Sequence, residues 1–133
     1  MLKQLSIYAE NKKGALQTMT NALYEAGINI WGSVTNDGAE YGINRMVVSD
    51  PDKAKEVLTE RGYLCRFVDV LAVEIEDKPG ALNTLLTALL DSNVNVDYTY
   101  LSFNRDSSTP VMILHTADPE EVEICLRAKG FKM

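Results

Sequence analysis

The sequence predicts an α+β fold of two tandem βαββαβ modules, antiparallel sheets with helices on one face. Three observations predict it. The chain repeats itself once, short runs alternate apolar with polar residues, and longer runs space their apolar residues at helical period. The repeat is the firmest. Glu10 to Thr18 returns as Glu76 to Thr84, an offset of 66, and from Leu5 to Ile30 ten of 26 positions are identical to their counterparts. Average residue usage would give roughly one or two by chance. Further on the offset becomes 68, matching Asp50-Pro51 to Asp118-Pro119, Leu58 to Leu126 and Gly62 to Gly130. A two-residue insertion therefore lies within Asn104 to Thr109. A period this long is a small domain and not a solenoid unit. The expected modules are 1–68 and 69–133.

Each module reads alike. Leu5, Ile7 and Ala9 alternate with Gln4, Ser6 and Tyr8, a half-buried strand; Leu71, Val73 and Ile75 repeat it. Ala15, Leu16, Met19, Ala22, Leu23 and Ala26 then fall on one helical face, as do Ala81, Leu82, Leu85, Ala88 and Leu89. Gly27 and Asn93 suit the left-handed position that ends a helix. A strand over 28–35 follows, then a turn signal at Asn36-Asp37-Gly38 and a third strand over 41–49. Asp50 with Pro51 starts the second helix. Asp118 with Glu121 predicts a capping box at the equivalent place. Gly62 and Gly130 end these helices, and 63–68 is a last strand running into the next module. The order is that of a ferredoxin-like split βαβ unit. Leu86 and Leu90 replace Thr20 and Tyr24 and widen one apolar helix face, which leaves a fuller core or a contact surface open.

Composition bounds the function. About 46% of the 133 residues are apolar and 24% charged, ordinary for a soluble protein. No run of 18 apolar residues is present, and the N-terminus lacks the pattern of a signal peptide. The expectation is a cytoplasmic protein with no membrane partner. Residues 1–68 hold eight basic and eight acidic residues, and residues 69–133 hold five and eleven, so the net charge of −6 falls on the second half. That speaks against nucleic acid. RNA-binding domains of this topology also need aromatics on a basic face, whereas Tyr98, Tyr100 and Phe103 sit in the acidic half. Cys65 and Cys125 fit no metal pattern with the single His115, and free thiols are expected. No metal, no cofactor and no catalytic residue is expected. Acylphosphatases share the topology but need an arginine in a phosphate-cradling loop, and none stands out. His115 reads as a structural or interface residue and Trp31 as packing.

The informative segment joins the first strand to the first helix: Asn11-Lys12-Lys13-Gly14-Ala15-Leu16, and Asp77-Lys78-Pro79-Gly80-Ala81-Leu82. Glycine lets the backbone approach a ligand closely, and a helix start offers N–H groups to a carboxylate. Asn11 or Asp77 can accept from an ammonium group, and Asn29 and Asn95 carry amides that both donate and accept. A zwitterion needs that combination. A strand-to-helix turn also needs glycine and a polar residue for purely structural reasons.

This pattern, Asp/Asn-x-Pro-Gly-Ala-Leu followed by Gly/Asn-hydrophobic-Asn-hydrophobic in a βαββαβ frame, resembles the ACT domain family over nearly the whole chain. The resemblance implies a non-catalytic regulatory protein, likened to stand-alone tandem members, that binds an amino acid between modules. Serine-binding members hold their ligand with the loop and strand asparagines, which correspond to Asn11 with Asn29 and to Asp77 with Asn95. The implied site residues are Asn11, Gly14, Ala15, Leu16, Asn29, Asp77, Gly80, Ala81, Leu82 and Asn95. The first loop departs from the family pattern: Lys13 stands for proline and loses the stiffening ring. A homodimer is implied, with a metabolic enzyme or regulator as partner. The alternative is a regulatory subunit like the small subunit of acetolactate synthase, without ligand sensing of its own.

Overall fold

The computed structural model of the chain describes residues 1–36 and 41–133. Its elements are β1 (Leu2–Glu10), α1 (Ala15–Glu25), β2 (Ile30–Asn36), β3 (Tyr41–Val48), α2 (Pro51–Glu60), β4 (Leu64–Glu74), α3 (Ala81–Asp91), β5 (Tyr98–Phe103), β6 (Pro110–His115) and α4 (Pro119–Ala128). The chain divides into two compact units, Lys3–Val68 and Asp69–Met133, the second also taking Met1 and Leu2. The turn expected at Asn36-Asp37-Gly38 lies outside the described residues beyond Asn36.

In the first unit the strand order is β2-β3-β1-β4. β3 runs antiparallel to both β1 and β2, with Leu5 opposite Met46 and Ile7 opposite Asn44. Residues paired across a sheet share a face, so Leu5, Ile7 and Met46 point together at the helices. They meet Met19 and Leu23 of α1 and Ala54 and Leu58 of α2 in one buried cluster. Burying each large apolar side chain is worth about 1.5–3 kcal/mol, which makes this cluster the main support of the unit. Between the helices, the Arg61 guanidinium donates to Glu25 at 2.9 Å and, with Asn21, holds that carboxyl below its usual range.

In the second unit the order is β4-β6-β5. Leu71 faces Leu114 and Val73 faces Met112. These four pack against Leu85 and Leu89 of α3 and Val122 and Leu126 of α4. Among the described residues no strand follows α4, where the βαββαβ order expects one; here the Lys132 carbonyl accepts a backbone bond from Glu74 at 2.8 Å.

The helix ends follow the sequence closely, with one exception. Gly27 and Asn93 both take left-handed φ, 73° and 57°. The next amides, of Ile28 and Val94, donate back to Leu23 and Leu89 at 3.0 and 2.9 Å. Asp50 accepts from the Lys53 amide at 3.2 Å and caps α2. Asp118 makes no such bond, so the capping box expected with Glu121 does not form. Its carboxylate stays in solvent, where hydration competes with a cap worth only about 1 kcal/mol. Both cysteines are free; burial pushes the Cys65 thiol up, with Lys55 opposing.

Candidate functional site

The two strand-to-helix loops are built alike. Gly14 and Gly80 precede their helices with φ of 83° and 85°, a left-handed backbone that other residues adopt at a cost of about 1–2 kcal/mol. The Ala15 amide donates to the Lys12 carbonyl at 3.1 Å, and Ala81 to Lys78 at 3.2 Å. Glu10 pairs with Lys12 at 3.0 Å and Glu76 with Lys78 at 2.7 Å, all well exposed, so each pair contributes under about 1 kcal/mol. The shape therefore comes from glycine and main-chain bonds, and Lys13 holds the same turn as Pro79. Lys13→Pro is accordingly expected to stabilise the protein by about 0.4–1 kcal/mol by restricting the unfolded chain. Urea denaturation checks it; a loss of stability would show that the two loops differ.

No side chain caps either helix start. The Ala15 and Ala81 amides are taken by the loop, which leaves the next amides of the first turn to meet an anion, with the helix dipole adding to their pull.

In the first unit this loop opens on a cleft of about 280 Å³ lined by Asn11, Lys12, Leu16, Thr35, Gly42 and Asn44. Asn44 is 2% exposed. Its amide nitrogen donates to Thr35 Oγ1 at 2.7 Å and to Ser33 Oγ at 3.3 Å, so the amide plane is fixed. Thr35, Gly42 and Asn44 escape the sequence reading. The available signal was an asparagine in step with the apolar Met46 and Val48 on one strand face, a polar group where the pattern asks for a core residue. The cleft stays open because Gly42 lacks a side chain and Thr35 is small. Gly14 lines a neighbouring cavity of about 610 Å³ with Ala15, Thr18 and Tyr63.

In the second unit Asp77 and Ala81 line a cavity of about 630 Å³ with Ser107, Thr109 and Phe131. The two-residue insertion supplies part of this wall. Asn104 braces it, donating to Glu74 Oε1 at 2.7 Å and accepting from the Asp106 amide at 2.9 Å. Gly80 and Leu82 belong to the same loop and first helical turn.

The expected pairs are not brought together within a module. β1 and β2 both run antiparallel to β3 and so run parallel to each other. Asn11 follows the end of β1, whereas Asn29 precedes the start of β2, where its amide donates to Ser49 Oγ at 2.9 Å. The eight residues of β3 lie between these levels, roughly 26 Å at strand rise. Asp77 and Asn95 are separated in the same sense. Asn95 instead lines a cleft of about 420 Å³ with Asp97, Thr116, Asp118 and Glu121, and donates to Asp97 at 3.2 Å. Next to it His115 Nδ1 lies 2.8 Å from Asp97 and its ring stacks on Tyr98 at 4.9 Å. That places His115 in a local network with a carboxylate and an aromatic ring. Among the described residues no group of three His, Cys, Asp or Glu could hold a metal ion, and no helix is long and apolar enough to cross a membrane.

Two α+β modules, each with a glycine-started helix beside a small cleft, define a class of tandem ferredoxin-like domain. The chain belongs to the ACT domain family: the family model for an ACT domain pair matches residues 1–130. Among solved structures, protein BT0572 from Bacteroides thetaiotaomicron is similar at 30% identity and a TM-score of 0.90, over 98% of this chain and 90% of that one. The ligand-free regulatory subunit of aspartate kinase from Thermus thermophilus shares the fold at 17% identity and a TM-score of 0.69, over 97% and 92% of the two chains. The corresponding subunit from Thermus flavus does so at 20% and 0.63, over 96% and 91%. No curated protein matches the chain.

Proposed function

We propose that this chain is a cytoplasmic, non-catalytic regulatory protein that binds a small amino acid at its strand-to-helix loops. It works as a homodimer and passes ligand occupancy to a metabolic enzyme or regulator. The observation that carries the reading is the first-module cleft. Uncapped helix N–H groups suit a carboxylate, and the side-chain oxygens of Asn11 and Thr35 suit an ammonium group. Its volume of about 280 Å³ selects a small side chain. Lys12 and Glu10 also line the cleft as a 3.0 Å ion pair, so their charges largely offset each other and the helix start supplies the pull on the carboxylate. Regulation then requires the ligand to prefer one of two protein states, since equal affinity for both shifts nothing.

A second reading, an interaction subunit without sensing, is favoured by the second module's apolar surface, where Leu90 is 75% and Phe103 55% exposed. Thermal shift against the twenty amino acids separates the two. The sensing reading expects one or a few small amino acids to raise the melting temperature. Ligand at a hundred times its Kd adds about 2.7 kcal/mol. A well-folded sample that responds to none of them would leave the interaction reading.

A further inference from the structure

We infer that the cleft where α3 ends and α4 begins binds an aliphatic diamine through its primary ammonium groups. This cleft, of about 420 Å³, is separate from the strand-to-helix loops. The cavity beside Asp77 reaches the start of β6 at Pro110, whereas this one meets the chain at Thr116, just past the end of that strand.

The first module shows what the place is built to hold. There Lys53, in the first turn of α2, reaches the end of α1, and its ammonium donates to the Ala26 carbonyl at 2.9 Å. The repeat sets Glu121 against Lys53 and Ser92 against Ala26. An ionised Glu121 has no proton to give, so the second module has exchanged its own amine for a carboxylate. The wall has turned polar with it. Ser92, Thr116 and Cys125 line the cleft where the first module has Ala26, Val48 and Val57.

Thr116 carries the inference. Its counterpart Val48 is a core side chain of the first module. Met112 and Leu114, at alternate positions before Thr116, belong to the core beneath the helices. Alternation turns the Thr116 side chain to that same side, where Val122 and Cys125 of α4 line the cleft. Thr116 is 2% exposed, and its hydroxyl oxygen has no hydrogen-bond partner. Buried hydroxyls are ordinarily paired, so this one calls for a group from outside the chain. It can accept from an ammonium N–H.

The charge fits the same guest. Asp97, Asp118 and Glu121 line the cleft, and no lysine or arginine does. Asp97 is engaged: it accepts from Asn95 and lies 2.8 Å from His115 Nδ1. Asp118 and Glu121 are exposed and form no ion pair among the described residues. One buried acceptor with two free carboxylates at the rim suits a chain that is cationic at both ends. Val94 and Val122 offer its methylenes an apolar wall. An amino acid would instead bring its own carboxylate against three others.

Calorimetry with putrescine on the full chain, at fixed ionic strength, tests it. The wild type is expected to bind one putrescine per chain. Thr116→Val restores the first module's residue without touching charge, and is expected to weaken binding about tenfold or more. Glu121→Lys puts back the amine of Lys53 and should abolish binding, with circular dichroism unchanged. Glu120→Lys makes the same change of charge one residue away, outside the cleft, and should keep most of the affinity. A wild type that binds no putrescine at millimolar concentration overturns the site. Wild-type affinity in Thr116→Val does so as well. An equal loss in Glu120→Lys and Glu121→Lys overturns it in favour of general attraction to an acidic module. Lysine binding that disappears in Thr116→Val, with none for putrescine, overturns the diamine.

Discussion

Thr35→Leu combined with Asn44→Met is expected to lower amino-acid affinity by about 2–3 kcal/mol, roughly 30- to 150-fold. The pair copies the second module, where Leu101 and Met112 occupy the equivalent register. The substitution thus builds a known neighbour pair into a related frame, and the fold should tolerate it at a cost of about 1–3 kcal/mol for tighter packing. Two effects add in the cleft. Larger side chains fill part of its volume, and the buried amide that holds Thr35 in place disappears. Calorimetry on the single and double variants checks the result, with circular dichroism confirming the fold. Affinity equal to wild type would remove this cleft as the binding site and turn attention to the cavity beside Asp77.

Leu23→Ala should destabilise the protein by about 2–5 kcal/mol, the usual range for a leucine truncated in a packed core. Leu23 is fully buried in the cluster that seats α1 on its sheet. A module of 66 residues has roughly 3–10 kcal/mol of stability to lose, so the larger values would leave the first unit barely folded at room temperature. Urea denaturation measures the cost. A change below about 1 kcal/mol would mean that the neighbours collapse into the vacated space, and that α1 is held by something besides its apolar face. Loss of ligand response at temperatures where the variant is still folded would tie helix placement to the loop.

The sequence carries the architecture because each element announces itself locally. Leu5 and Ile7 alternate, Met19 and Leu23 recur at helical period, and Gly27 and Asn93 stop their helices in the left-handed conformation. The loops are legible for the same reason, since Gly14 and Gly80 determine the turn. What depends on level within the sheet is harder to read. Asn11 and Asn29 look close because eighteen residues separate them and one strand follows the other. Only the register shows that β3 stands between their levels. Asn44 was hidden for a related reason: its role comes from Ser33 and Thr35 on the neighbouring strand, a pairing that no local pattern contains. The Asp118 cap failed differently. The residue type was right, but a solvated carboxylate can satisfy itself with water, and residue preference does not decide between the two.

The Lys13 and Pro79 loops share one shape, and that shape is written in the main chain. Side chains around it are consequently free to drift after a duplication without loss of the scaffold. The two halves of this chain show such drift: one keeps threonine, glycine and asparagine around an open cleft, while the other has leucine, proline and methionine at the same stations. Duplication followed by a division of labour needs just this kind of robustness. Each descendant can change its surface, and neither has to relearn how to fold.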